Sequence, residues 1–163
     1  MHLGVLAGIT GGELFFHPRF DPIREGNKLR NELKSVVSRE TGYSVTMRIR
    51  CSNGLRIADH FGNFFQRNVT DLEFGCLDAD KAVAVTIKHE SKLDERQEAY
   101  FQCAVLYTSA SGQRRVRCHN LSVAVSTKLG DVFRTADMDA TIAVTAKEGA
   151  FTALFSPRCF KLY

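Results

Sequence analysis

Met47-Arg48-Ile49-Arg50-Cys51-Ser52-Asn53-Gly54-Leu55 is the stretch on which the reading of this chain turns. With Val45 ahead of it, apolar residues occupy positions 45, 47, 49 and 51, and Ser44, Thr46, Arg48 and Arg50 fall between them. A period of two belongs to a strand with one face packed and the other in water. Asn53-Gly54 is the residue pair that tight hairpin turns select, so strands over 44–51 and 55–61 are expected, joined by that turn.

The same alternation recurs downstream. Val83, Val85 and Ile87 define a strand over 82–89, and Phe101, Cys103, Val105 and Tyr107 define one face of another over 99–108. Tyr100, Gln102, Ala104 and Leu106 take its opposite face. A Ser109-Ala110-Ser111-Gly112 turn leads into a strand over 113–125. Its apolar parity changes between Val116/Cys118 and Leu121/Val123/Val125, which predicts a bulge near His119-Asn120. Short antiparallel strands with hairpin turns indicate a β-sandwich or barrel.

Helices flank this β region. Asp21-Pro22 pairs an N-cap acceptor with a proline suited to the first helical position. Leu29, Leu33, Val36 and Val37 then make one apolar stripe, predicting a helix over 22–41 with Gly42 as its stop. The 3–9 stretch reads as the end of a helix or its exit loop, and 13–17 as a short strand. After Ser126-Thr127, Leu129, Val132, Phe133 and Ala136 repeat at helical spacing, and Gly149 and Pro157 interrupt the tail. The expected fold is mainly β: an antiparallel β-sandwich segment with an amphipathic helix before it and one after it.

Composition narrows the function class without choosing one. The chain has 163 residues, 44% hydrophobic and 25% charged, as a globular protein with one sizeable core would. Its net charge of +4 is concentrated at Arg48/Arg50/Arg56 and at Arg114/Arg115/Arg117, which suits anionic peptides, membrane surfaces or nucleic acid. No aromatic interleaves the second cluster, so no nucleic acid is expected as a partner. Five cysteines (51, 76, 103, 118 and 159) lack close pairing and are expected as free thiols of a reducing compartment, with Cys51, Cys103 and Cys118 at core positions. Their spacing implies no metal site. The apolar first ten residues lack the basic flank and cleavage site of a signal peptide, and the chain reads as cytoplasmic.

No phosphate-binding glycine loop, nucleophile elbow or zinc-protease motif is present, and no catalytic residue is expected. Cys51 with His60 is the one nucleophile–base pairing to weigh, but Cys51 shares the apolar parity of its strand. Asp78/Asp80 and Asp94/Glu95 read as solvated turns, and Asp137/Asp139 diverge on a helix. Arg48 and Arg50 are more suggestive. They leave one strand face roughly 6–7 Å apart, the interval of alternate carboxylates on an extended ligand. Each guanidinium fork can grip a carboxylate through two bonds. An ordinary solvated strand face has the same pattern. Leu106 stands out on the polar side of its strand, where it packs under a neighbouring element or forms an apolar patch for an acidic peptide.

Several motifs occur in a telling order: Thr10-Gly11-Gly12, the Met47–Leu55 stretch, Phe61-Gly62-Asn63-Phe64-Phe65-Gln66-Arg67, and Asp71-Leu72. Phe101-Gln102-Cys103-Ala104-Val105-Leu106-Tyr107-Thr108, Gln113-Arg114-Arg115-Val116-Arg117, Asp131-Val132-Phe133 and Ala136-Asp137 follow. From about residue 6 to about 143 this resembles the cargo-adaptor subunit of the COPII vesicle coat. The resemblance implies that 1–41 end a trunk domain, that 43–126 form the β-sandwich, and that 127–163 open a helical domain, with 150–163 unassigned. It places the family's zinc finger and further sandwich strands upstream, so no cofactor is expected in this chain.

The resemblance also implies a non-enzymatic role in transport from the endoplasmic reticulum to the Golgi. Family members bind sorting signals on cytosolic tails of membrane cargo and SNAREs, beside a GTPase-activating partner subunit, peripherally at endoplasmic reticulum exit sites. For an acidic Asp-x-Glu signal the family uses an arginine of the M-R-x-R strand and a leucine of the A-V-L strand. Carried over, these are Arg48 and Leu106, with other arginines supplied by the trunk. Arg50 is added from its spacing alone. The alternative is a purely structural segment that joins trunk to helical domain.

Overall fold

A computed structural model of the protein describes residues 3–155. Its elements run α1 (Leu3–Thr10), α2 (Pro22–Ser38), β1 (Thr41–Cys51), β2 (Leu55–Phe61), β3 (Phe65–Gln66), β4 (Asp71–Asp78), β5 (Ala84–His89), β6 (Glu98–Thr108), β7 (Arg114–Ala124), α3 (Leu129–Thr135) and α4 (Met138–Phe155). Five strands form one sheet in the order β3-β4-β1-β6-β7, and β2 pairs antiparallel with β5 in a second. The fold is the expected one, antiparallel β with helices on either side in sequence.

The contacts resolve into two compact units, and β1, β6 and β7 each contribute to both. Unit one comprises residues up to Met47 with 63–81 and 105–117, and unit two holds the rest. In unit one the buried apolar side chains are Val45, Met47, Leu72, Phe74 and Val105, with Leu72 fully inaccessible. In unit two they are Leu55, Phe61 and Ala99. Phe61 meets the Phe151 ring of α4 edge to face at 5.9 Å.

The apolar parity of β1 holds: Val45 and Met47 are buried and Ile49 and Cys51 half-buried, while Ser44 and Arg50 are exposed. The turn after it behaves otherwise than expected. Ser52-Asn53-Gly54 does not close a hairpin; it carries the chain from the five-stranded sheet into the β2–β5 pair. Ser52 is held back by Tyr100, its N–H donating to the Tyr100 carbonyl at 2.9 Å. Gly54 adopts φ +88°, a conformation that glycine takes without strain.

Other departures have local causes. Gly42 lies inside β1 rather than ending α2, because the helix stops at Ser38 and Arg39 leaves it in an extended conformation. Residues 13–17 form no strand; Glu13 and His17 are instead engaged by side chains, as described below. β4 was not expected, although Leu72 and Phe74 alternate with Asp71 and Glu73 and are among the most buried residues. Every residue of β7, an edge strand, is exposed, so burial selects neither of its parities. Two helices rather than one follow the sheet, and Gly149 lies within α4 instead of interrupting it. Of the cysteines, Cys51, Cys76 and Cys103 are half-buried and Cys118 is exposed, so none occupies a core position as expected. Cys159 and Pro157 lie outside the described residues.

Candidate functional site

The ends of β1, β6 and β7 that belong to unit two build a groove of about 560 Å³ lined by Arg50, Ser52, Tyr100, Gln102, Asn120 and Ser122, with Cys51, Phe101 and Leu121. Two bonds hold β1 to β6 there. Ser52 N–H donates to the Tyr100 carbonyl, and Tyr100 N–H donates to Ser52 Oγ at 3.1 Å. With Ser52 beside Tyr100, antiparallel pairing sets Arg50 beside Gln102. Gln102 Nε2 in turn donates to Asn120 Oδ1 at 3.0 Å. Arg50, Gln102 and Asn120 thus form a row across three neighbouring strands. Arg50 is exposed and makes no ion pair or side-chain hydrogen bond among the described residues.

Arg48, half-buried and engaged by neighbouring groups, lies one side-chain repeat before Arg50 on β1, in unit two. Leu106 is half-buried in unit one, next in sequence to the buried Val105. Of the three residues singled out from sequence, Arg50 is the one found in the groove. Tyr100, Gln102 and Asn120 were not foreseen as groove residues. The parity of Tyr100 and Gln102 was legible, but the strand neighbour that brings Asn120 to them was not.

Several of the charged and nucleophilic groups singled out from sequence have structural partners. Asp78 is not a solvated turn residue. Its carboxylate lies 3.2 Å from Arg39 and 3.8 Å from Lys81, and its side chain is 11% exposed. Arg39 also bonds Glu13 at 2.7 Å and reaches Asp80 at 3.3 Å, while Lys81 Nζ donates to the Gly12 carbonyl at 3.3 Å. The Arg39 hydrogen bond is the main cause that lowers the Glu13 carboxyl below its ordinary value, against partial desolvation. His17 Nε2 meets Glu32 of α2 at 2.8 Å and its ring packs edge-on against Phe20.

The basic cluster of β7 is partly spent on the fold. Arg114 donates to the Ser44 carbonyl at 2.7 Å and to Thr108 Oγ1 at 3.0 Å, and Arg115 donates to Gln113. Cys51 Sγ donates to the Leu55 carbonyl at 3.2 Å, which ties the turn. Burial pushes the His60 imidazole down, with Asp59 opposing, and pushes the Cys103 thiol up. These shifts follow chiefly from burial.

Comparison with known proteins gives a consistent result. Residues 42–126 match the Sec23/Sec24 beta-sandwich domain. The human protein transport protein Sec24D is 39% identical over 155 residues, 95% of this chain and 15% of that protein. Protein transport protein SEC24 B of Arabidopsis thaliana is 40% identical over 141 residues, 86% of this chain and 13% of that protein. The crystal structure of the human COPII-coat protein Sec24c superposes with a TM-score of 0.90 at 39% identity, covering 95% of this chain and 20% of that one. The chain therefore spans between 13% and 20% of the length of these relatives.

Proposed function

This chain belongs to the Sec23/Sec24 β-sandwich family, and on that premise we propose that it is a segment of a COPII coat cargo adaptor that binds acidic sorting signals on the cytosolic tails of membrane cargo. In this reading residues 1–41 end a trunk, 43–126 are the sandwich and 127 onward opens a helical domain. The GTPase-activating coat subunit is its partner, and SNAREs are among its cargo. No helix among the described residues is long and apolar enough to cross a membrane. In this reading the coat as a whole supplies attachment to the endoplasmic reticulum. The role is binding rather than catalysis.

The observation that supports the signal-binding part is the exposed Arg50, which lines the groove without an ion pair among the described residues and lies on the same strand as Arg48. A guanidinium without an internal carboxylate is available to one from outside, and its fork fits that group. As the family resemblance implies, Arg48, one side-chain repeat before Arg50, is the principal cation, and Leu106 supplies apolar contact. Charge-assisted bonds of this kind contribute about 1–3 kcal/mol each. Single signals are then bound weakly, and capture depends on many adaptors acting together in the coat.

Isothermal titration of the full-length protein with an Asp-x-Glu peptide tests this reading. Arg48→Ala weakens binding by about tenfold, as loss of one charge-assisted contact does, and Leu106→Ala weakens it less. Unchanged affinity in Arg48→Ala removes the assignment and leaves a segment that joins trunk to helical domain.

A further inference from the structure

Next to the groove, where β6 begins, lies a second cavity of about 170 Å³, bordered by the Ser52-Asn53 turn, the start of β6 and Val125. Pockets for whole small molecules measure about 300–1,000 Å³, so this one suits a single long side chain. Asp94 and Glu98 line it, and no Lys, Arg or His does. Among the described residues neither carboxylate forms an ion pair. Asp94 uses Oδ1 to hold its own turn, accepting from the Arg96 N–H at 3.0 Å. Lys92 and Arg96, the nearest cations in sequence, line a different cavity with Glu95 and Thr127, which Asp94 also borders. The surrounding backbone is fixed. The Gly54 carbonyl accepts from the Glu90 N–H at 2.9 Å and the Ser91 N–H at 3.3 Å, and the Thr127 N–H donates to Glu95 Oε1 at 2.8 Å.

This acidic cavity and the Arg50 groove share Ser52 and Tyr100. Glu98, Tyr100 and Gln102 alternate along β6 and are exposed, whereas Ala99 between them is buried, so the three share the outward face. Gln102 stands beside Arg50, and Glu98 lies four residues from Gln102 on that face, roughly 13 Å away along the strand. An extended peptide laid along these strands covers the same distance in four residues. Four is an even interval, so both of its side chains leave the same side of the peptide. We infer that the cavity takes the basic side chain, Lys or Arg, of a peptide whose carboxylate four residues away is bound at Arg50. The inference rests on the acidic-signal reading above and adds the charge and position of a further residue. Asp94 and Glu98 answer the cation, and the methylene stem packs beside Leu93, Tyr100 and Val125 as long basic side chains do. A signal acidic along its whole length meets repulsion there instead.

The experiment is isothermal titration of the full-length protein with Asp-x-Glu peptides that carry Lys, or norleucine in its place, four residues before the Asp or four after the Glu. Lys at one of these positions binds about fivefold more tightly than norleucine, the yield of two partly exposed ion pairs. Moved to three residues from the acid, it projects from the other side of the peptide and the gain is absent. In the double substitution Asp94→Asn/Glu98→Gln the Lys and norleucine peptides bind alike. Asn keeps the Oδ1 acceptor for the Arg96 N–H and Glu98 is exposed, so the fold survives, which circular dichroism verifies. Equal binding of Lys and norleucine peptides at both positions overturns this inference and leaves the acidic-signal reading intact. A Lys advantage that persists in the double variant, or that is as large at three residues as at four, reflects attraction outside the cavity and likewise overturns it. Binding of none of the peptides overturns the acidic-signal reading and this inference with it.

Discussion

Gly42 illustrates what one residue does within β1. A Cβ placed on it would stand 2.8 Å from Tyr107 Cδ2 and 3.3 Å from the Tyr107 Cβ and Cγ atoms. Contacts this short force a neighbour aside, and overpacking of this kind costs about 1–3 kcal/mol. Gly42→Ala should therefore destabilise the protein by that amount in urea denaturation. In a Tyr107→Ala background the obstacle is gone, and the same substitution should cost less. Equal costs in the two backgrounds would show that Tyr107 is not the constraint. From sequence Gly42 looked like a helix stop, since glycine after an apolar stripe commonly is one. The aromatic ring that requires it comes from a strand some sixty residues away, and no local pattern contains that information.

At the scale of elements, unit one is tied together by charge as well as by apolar contact. Arg39, at the exit of α2, gathers Glu13 from the preceding segment with Asp78 and Asp80 at the end of β4. Glu13 in the folded state has a carboxyl pKa below its ordinary 4.5, chiefly through its bond to Arg39. The unfolded chain then binds the proton more tightly than the folded one, so this contribution is complete above about pH 4.5 and is lost as pH falls through the lowered folded value. Denaturation midpoints measured from pH 6 down to pH 3 should fall, and Glu13→Gln should flatten part of that fall. An unaltered pH profile in Glu13→Gln would contradict the linkage.

The sequence conveyed these elements unevenly. β1, β6 and the start of α2 were legible because each has its own signal: alternation at 45–51, alternation at 101–107, and a proline-led cap at Asp21-Pro22. β4 passed unseen, although Leu72, Phe74 and Cys76 share one parity and Asp71, Glu73 and Gly75 the other. The Asn53-Gly54 pair was recognised as a turn, but its flanking strands do not pair with each other. Hydrogen bonds exchanged between Ser52 and Tyr100 settle that, and they link residues distant in sequence. The candidate site follows the same rule. Arg50 was visible by its spacing on a single strand, whereas its row with Gln102 and Asn120 requires knowing which strands are neighbours.

At the scale of the whole molecule, the chain matches between 13% and 20% of the length of its relatives, and the proposed function gives that portion one task. We hold that it contributes cations to an acidic-signal site, with Arg48 as the principal one. A charge exchange tests that claim most directly, because it asks for a gain as well as a loss. The measurement is titration of the full-length Arg48→Glu variant with an Asp-x-Glu peptide and, in parallel, with a Lys-x-Lys peptide. The account predicts at least tenfold weaker binding of the acidic peptide and measurable new binding of the basic one. Asp-x-Glu affinity unchanged from that of the unaltered protein would contradict it.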